Sequence, residues 1–292
     1  MKKNELRAAQ ELISQLSGSQ LTTFLLKIFS SRAKNIAPNH ILQEWENSRF
    51  FKLPPENFER SKAVENIFSE IAKNQKYEQL EIPPVCPIGT VAALGPVHQN
   101  NVVSASRNCE VVSDSTNVLA LEAASRRKPS SSKTSSVYTK LCCVHRLLRA
   151  QKFNIPNAYA HFKVFCMVTA GRDTGNFEFE NQIFDHCGVY IKSLAKIDQS
   201  LNPVITIFVE DSFLRSQLEE KVEALGTTYN FEEKRPSGNG YYNRLSFHID
   251  VTKNGRKINL VDGGMVDWTA KLLSNKKERL FISGIGLTRL AE

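Results

Sequence analysis

Gly238-Asn239-Gly240-Tyr241-Tyr242, Asp262-Gly263-Gly264-Met265-Val266-Asp267 and Gly284-Ile285-Gly286-Leu287-Thr288-Arg289-Leu290 punctuate the C-terminal stretch of the chain, and their reading decides the fold. Residues 241–251 alternate as a strand does, with Leu245, Phe247 and Ile249 on one side. Asn254-Gly255 is a hairpin signal, and Ile258, Leu260 and Val261 begin the return strand. Gly263-Gly264 reads as a turn in which backbone approaches backbone or ligand. Leu280-Phe281-Ile282 is a short apolar strand. Gly284 and Gly286 then open a terminal helix with Arg289 one turn in, where a cation can share a phosphate with the helix N-terminus. The order is strand, turn, strand, turn, helix, strand, helix start. Hairpin signals without regular β-α-β alternation predict an α+β fold, a mainly antiparallel sheet flanked by helices.

That order resembles the core of class II aminoacyl-tRNA synthetases. It is most similar to histidyl-tRNA synthetase and its non-synthetase relatives, such as the regulatory subunit of ATP phosphoribosyltransferase. The family's tyrosine pair before a core strand looks like Tyr241-Tyr242. Its Gly-Gly-x-x-Asp turn looks like Gly263, Gly264 and Asp267, and its third motif, Gly-Leu-x-Arg-Leu, looks like Gly286 to Leu290. The resemblance spans about residues 57–290. It implies substrate contacts at Tyr241, Tyr242, Gly263, Gly264 and Asp267, and a γ-phosphate contact at Arg289. Read from residues alone, the same stretch also suits a β-hairpin and helix of some other α/β domain.

Outward from this stretch, residues 160–171 alternate as a strand, Phe162, Val164, Cys166 and Val168 against Lys163, Phe165, Met167 and Thr169. Residues 137–151 fit a helix by the spacing of Leu141, Val144, Leu147 and Leu148, and the resemblance decides for a strand. Together they look like the family's second motif, two strands joined by a loop that contains Pro156. There Arg149 matches the arginine on the α-phosphate, where a guanidinium gives planar, charge-assisted bonds. Phe162 matches the ring that stacks on adenine. Gln151 stands where the family has glutamate, and His161 takes a polar position near the ATP tail. The amino-acid pocket departs from the pattern. Val164 and Val168 replace a glutamine and a glutamate, Met265 replaces an arginine, and Arg235 lies two positions too early for the catalytic arginine. Binding of histidine in the family's manner is therefore not expected.

Gly171-Arg172-Asp173-Thr174-Gly175 is a glycine-bounded turn. Arg172 and Asp173 either present opposite charges to a ligand or pair to hold a loop. Residues 177–194, 204–209 and 212–225 read as helix, strand and helix, the last ended by Gly226. This small insertion, near 177–235, takes the place of the synthetases' larger one. Upstream, residues 129–136 read as a Ser/Lys-rich loop, 110–114 as a strand and 118–127 as a helix. Glu122 is out of register with the family's ammonium-binding glutamate. His98, Gln99 and Asn100 read as turn chemistry.

The organisation expected is a helical extension over 1–53 and a synthetase-like core over 54–292. Leu6, Ala9, Leu12, Ile13 and Leu16, then Leu21, Phe24, Leu25, Ile28 and Phe29, mark two amphipathic helices broken at Ser17-Gly18-Ser19, with a short third over 41–51. Such stripes cap a core or meet a protein partner. Pro55 suits the first turn of the next helix. Helix, strand and proline over 57–84 follow the pattern of the family's first motif, which implies a homodimer.

Composition bounds the rest. The 292 residues are 41% hydrophobic with 17 Phe, enough for a sizeable core, and carry a formal charge of +8. The sequence pI is about 9.1. Such a surface permits nucleic acid or nucleotide binding without requiring it. Six cysteines without a Cys-x-x-Cys pair read as buried thiols of a reducing, cytoplasmic compartment, and no metal site is expected. No membrane span or secretory signal is visible. No anticodon-binding domain is expected after Arg289. Two function classes follow from the resemblance. One is an enzyme using ATP and Mg²⁺ to activate an amino acid or other carboxylate as an adenylate, with Arg149 and Arg289 catalytic and Gln151, His161, Phe162, Gly284 and Gly286 at the nucleotide. The other is a non-catalytic regulatory or assembly subunit that senses a small-molecule ligand.

Overall fold

The computed structural model describes residues 3–95, 97–128, 137–151, 159–238, 240–253 and 255–291. Three helices come first: α1 (Lys3–Ser14), α2 (Gly18–Ala33) and α3 (Pro38–Asn47). Ser17 starts α2 with a reciprocal cap, its hydroxyl accepting from the Gln20 amide while Gln20 reaches back. None of the three buries a residue. Ala9, Ile13, Leu16, Leu21 and Leu25 of the two stripes are half-buried, while Leu12, Phe24, Ile28 and Phe29, and Ile41, Leu42 and Trp45 of α3, stand exposed.

The rest of the chain runs α4 (Phe58–Asn74), β1 (Glu78–Gln79), β2 (Val85–Pro87), α5 (Thr90–Leu94), β3 (Ser104–Ala105), β4 (Cys109–Val111), α6 (Ser115–Arg127), β5 (Thr139–Leu148) and β6 (His161–Arg172). It continues α7 (Gln182–Ile197), β7 (Val204–Val209), α8 (Ser212–Val222), β8 (Thr228–Glu232), β9 (Leu245–Lys253), β10 (Arg256–Val266), α9 (Trp268–Leu272), β11 (Glu278–Gly286) and α10 (Thr288–Ala291). Asn57, not Pro55, opens α4, because its side chain caps the Arg60 amide.

Eight strands form one sheet in the order β1-β5-β6-β11-β10-β9-β7-β8. The β1–β5 and β7–β8 pairs are parallel and all the others antiparallel. The expected antiparallel sheet flanked by helices is therefore the fold. The β9–β10 hairpin closes at Lys253 opposite Arg256, with Gly255 at φ 72°, where the sequence put its turn; Asn254 lies outside the described residues. The stretch near 177–235 folds as α7, β7, α8 and β8, and its two strands extend the main sheet. Residues β2, β4 and β3 make a small separate sheet.

Two cores lie on the two faces. On one, Val64 and Phe68 of α4 and Ile183, Tyr190 and Leu194 of α7 meet Phe165, Phe247 and Phe281. On the other, Leu119 and Ala123 of α6 and Trp268 of α9 meet Leu141, Leu147, Val168 and Ile282. Helical spacing misleads in β5 because both faces are covered, Cys142 facing one core and Leu141, Cys143 and Leu147 the other. Gly263 and Gly264 are not a turn: both sit inside β10. Gly284 and Gly286 do not open the terminal helix either; they belong to β11, and α10 begins at Thr288. All six cysteines are free, with only Cys109 incompletely buried. No helix among the described residues is long and apolar enough to cross a membrane.

Candidate functional site

A cleft of about 720 Å³ opens on the α6 side of the sheet. That volume suits a small ligand. Its floor is bare where β11 contributes Gly284 and Gly286. A Cβ on Gly286 meets nothing within 4 Å, so the space above it belongs to the cleft. A Cβ on Gly284 comes 3.1 Å from Cys166 Sγ.

Arg149 stands one residue beyond β5. Its backbone amide donates to the Ala160 carbonyl oxygen (2.8 Å), and its Nε to that of Ser113 (3.1 Å). Its guanidinium carbon lies 5.3 Å from the centroid of the Phe162 ring, a cation–π contact across the cleft wall. Glu180 pairs with Arg244 (2.9 Å) and Asp267 with Lys271 (2.9 Å). Gln151 also lines the cleft.

The opposite wall is built by α6 and the tyrosine pair. Asp114 caps α6, its Oδ1 accepting from the Thr116 amide (2.9 Å) and hydroxyl (2.7 Å). Its Oδ2 accepts from the Tyr241 hydroxyl (3.2 Å). Burial first, and Asp114 next, raise the Tyr241 phenol well above its ordinary range. Tyr242 meets Tyr241 edge-on at 4.8 Å, and Arg235 lies over the Tyr242 ring, also at 4.8 Å. Arg235 Nη2 donates to Asp262 Oδ1 (3.0 Å) and to His248 Nε2 (2.5 Å). Burial depresses the His248 pKa, which Asp262 partly offsets. Arg235 Nη1 and Asn117 Nδ2 are buried without a partner among the described residues. A buried orphan donor costs about 1–3 kcal/mol, so this wall asks for an acceptor.

The expected site residues thus fall into groups. Arg149, Gln151, Phe162, Tyr241, Tyr242, Gly284 and Gly286 share the cleft. Gly264 stands behind it, with Tyr242 against the place of its missing Cβ, while that of Gly263 faces Phe247. His161 does not face the cleft, because strand neighbours point to opposite faces. It meets Arg146 Nη1 at 3.3 Å and the Lys52 backbone, and burial depresses its pKa. Arg172 and Asp173 sit at the other end of β6, about 30 Å along the strand at its usual rise. They do not pair with each other: Arg172 meets Glu278 (3.1 Å) and Asp173 meets Arg279 (2.5 Å). The Arg289 side chain lies outside what the structure describes, as does most of the loop after Gln151.

Two cleft residues escaped the sequence reading. Asp114 was legible as a helix cap, since Asp-Ser-Thr precedes an apolar run, but the helix reads as starting at Val118, three residues late. Arg235 was set aside on register. The loop that follows carries Gly238 at φ 71° and Gly240 at φ 85°, and in such a loop counting positions does not locate a side chain.

No family model matches the sequence, and no curated protein is similar to it. Solved structures show the fold: it is that of the class II aminoacyl-tRNA synthetase core. The histidyl-tRNA synthetase of S. aureus superposes with a TM-score of 0.63 at 14% identity, over 83% of this chain and 68% of that one. An ATP phosphoribosyltransferase regulatory subunit/histidyl-tRNA synthetase from Bacillus halodurans gives 0.62 at 13% identity, over 82% of each chain. At these identities the likeness carries the fold.

Proposed function

We propose that the cleft binds ATP with a small-molecule carboxylate beside it and joins the two as an adenylate, outside the role of a complete tRNA synthetase. The observation that carries this is Arg149 beside Phe162 above a floor without side chains at Gly284 and Gly286. Arg149 offers planar donors to a phosphate, Phe162 a stacking face, and Gln151 a neutral polar group. The glycines admit the nucleotide close to the sheet. Arg289 is assigned the γ-phosphate by the motif Gly286 to Leu290. On the far wall, Arg235 Nη1 and Asn117 Nδ2 are donors suited to the oxygens of the second ligand, and Asp114 with Tyr241 suits a cationic group on it.

In the reaction, a carboxylate oxygen bonds to the α-phosphorus and the bridging oxygen leaves with pyrophosphate. Arg149 would stabilise the charge that builds up, by positioning and electrostatics. Among the described residues no three metal-ligating side chains cluster. Asp114 and Asp262 are already engaged by Tyr241 and Arg235. Mg²⁺ would enter on the triphosphate. A homodimer through the 57–84 segment goes with this reading, with Phe58 exposed near its start. A reducing, cytoplasmic setting suits six free thiols. The proposal does not call on tRNA.

A second reading is a non-catalytic regulatory subunit. Val164 and Val168 favour it, since an apolar strand replaces the polar side chains that face the substrate in the synthetases it resembles. ATP–pyrophosphate exchange across a panel of amino acids and small organic acids separates the two. The enzyme reading expects exchange with at least one acid; ATP binding without exchange on any of them leaves the regulatory one.

A further inference from the structure

We propose that the segment joining α3 to α4 is a strap that positions the phosphate-binding turn of the cleft, with Arg49 as its positioning residue. The proposal rests on the nucleotide reading of the cleft for its ligand, but its geometry does not. Residues 48–56 cross the loop end of the β5–β6 hairpin and touch both arms. Arg49 Nη1 donates to the Gln151 carbonyl oxygen (3.2 Å), and Nη2 donates to that of Ala150. The Arg49 guanidinium also rests over the ring of Phe50, its neighbour, at 4.3 Å. Lys52 contributes a backbone hydrogen bond to His161. Glu56 Oε2 meets Arg146 Nη2 of β5 at 2.6 Å, and its Oε1 lies 3.8 Å from Lys163 Nζ of β6. Ser61 of α4 donates to the same Oε1 (2.8 Å).

The placement matters because Ala150 and Gln151 directly follow Arg149. The last strand pair of the hairpin is Leu148 with His161. Beyond it, Arg149 is held by one ladder bond to Ala160, and Ala150 by its amide to the Asn101 carbonyl oxygen (3.1 Å). Carbonyl groups just past a strand end have no ladder partner, and a guanidinium fork satisfies two at once in fixed geometry. A lysine offers a point charge instead of that fork. Arg49 thus fixes where the Arg149 side chain starts. The helices behind the strap, α1 to α3, bury no side chain of their own. By linkage, a ligand on Arg149 must steady the strap as much as the strap steadies the ligand.

The test uses the full chain as wild type, Arg49→Ala, Arg49→Lys and Glu56→Gln. Without ligand, amide hydrogen exchange at residues 146–151 should be about tenfold faster in Arg49→Ala, the scale of losing such a bonded pair. Mg-ATP affinity should fall by about the same factor, with Arg49→Lys between Arg49→Ala and wild type. In the wild type, Mg-ATP should slow exchange over residues 48–56, which a strap serving stability alone would not show. Should Arg49→Ala fail to fold, Arg49→Lys and Glu56→Gln carry the same comparison. Unchanged exchange at 146–151 in the variants overturns the strap. Faster exchange there with unchanged Mg-ATP affinity overturns the positioning role. If the wild type binds no Mg-ATP, the nucleotide reading fails and the exchange comparison still decides the strap.

Discussion

Stability should fall by about 2 kcal/mol between pH 6.5 and pH 5 through His186 alone, and by about 4 kcal/mol by pH 3. His186 is fully buried on α7. Its Nδ1 meets Ser283 Oγ at 2.6 Å and its Nε2 meets Thr169 Oγ1 at 3.0 Å. The hydroxyls of Tyr190 and Tyr77 bond these same partners, at 2.9 and 3.0 Å. Hydroxyls can donate or accept, so this network satisfies a neutral ring. Burial first, and the nearby Lys140 next, lower the His186 pKa from 6.5 to about 3. Between those values the unfolded chain binds a proton that the folded chain refuses. The contribution is therefore complete above pH 6.5 and is lost as pH falls toward 3. The pKa values of His145, His161 and His248 are also depressed by burial and act in the same direction, so the comparison must be made against a variant. Urea titrations of the wild type and His186→Gln over pH 5–7 should give a clearly shallower dependence in the variant. Equal slopes would show that His186 takes its proton in the folded state.

Gly264→Val should destabilise the fold by about 3 kcal/mol or more, at the upper end of overpacking effects. A Cβ at 264 lands 2.7 Å from the Leu245 carbonyl oxygen, 2.7 Å from Ser246 Cβ and 2.7 Å from the Tyr242 ring. A flexible side-chain tip can give way, but the Leu245 oxygen belongs to the β9 backbone. Relief requires β9 and β10 to part or Tyr242 to leave its wall, where it meets Arg235 and Tyr241. Chemical denaturation measures the first cost, and the change in Tyr242 surroundings is visible by near-UV circular dichroism. A variant within 1 kcal/mol of wild type would mean that β10 does not lie so close to β9.

These two sites also show how far the sequence could be read. The β9–β10 hairpin was legible because alternation and Asn254-Gly255 agree on one register. The role of Gly263 and Gly264 was half legible. Glycine serves both turns and close approach, and only the neighbours at Phe247, Ser246 and Tyr242 tell which. Arg149 and Phe162 were placed by their resemblance to the second motif, and both line the cleft. Strand parity sends His161 to the opposite face. Arg235 could not be placed, since its position depends on a loop with three residues at positive φ, Gly238, Gly240 and Arg244. The apolar stripes of α1 to α3 were plain, but periodicity shows that a face is apolar and not what covers it.

Calorimetric titration of the chain with Mg-ATP tests the central claim most directly. Saturable binding at one site per chain is expected. Arg149→Ala should weaken it by about 1.5–3 kcal/mol, the scale of a hydrogen bond to a charged group. Gly286→Leu, which extends a side chain into the open floor, should abolish it while the unfolding transition stays in place. Absence of binding by the wild type at millimolar Mg-ATP, or an Arg149→Ala variant that binds as well as wild type, would contradict the assignment of this cleft to a nucleotide.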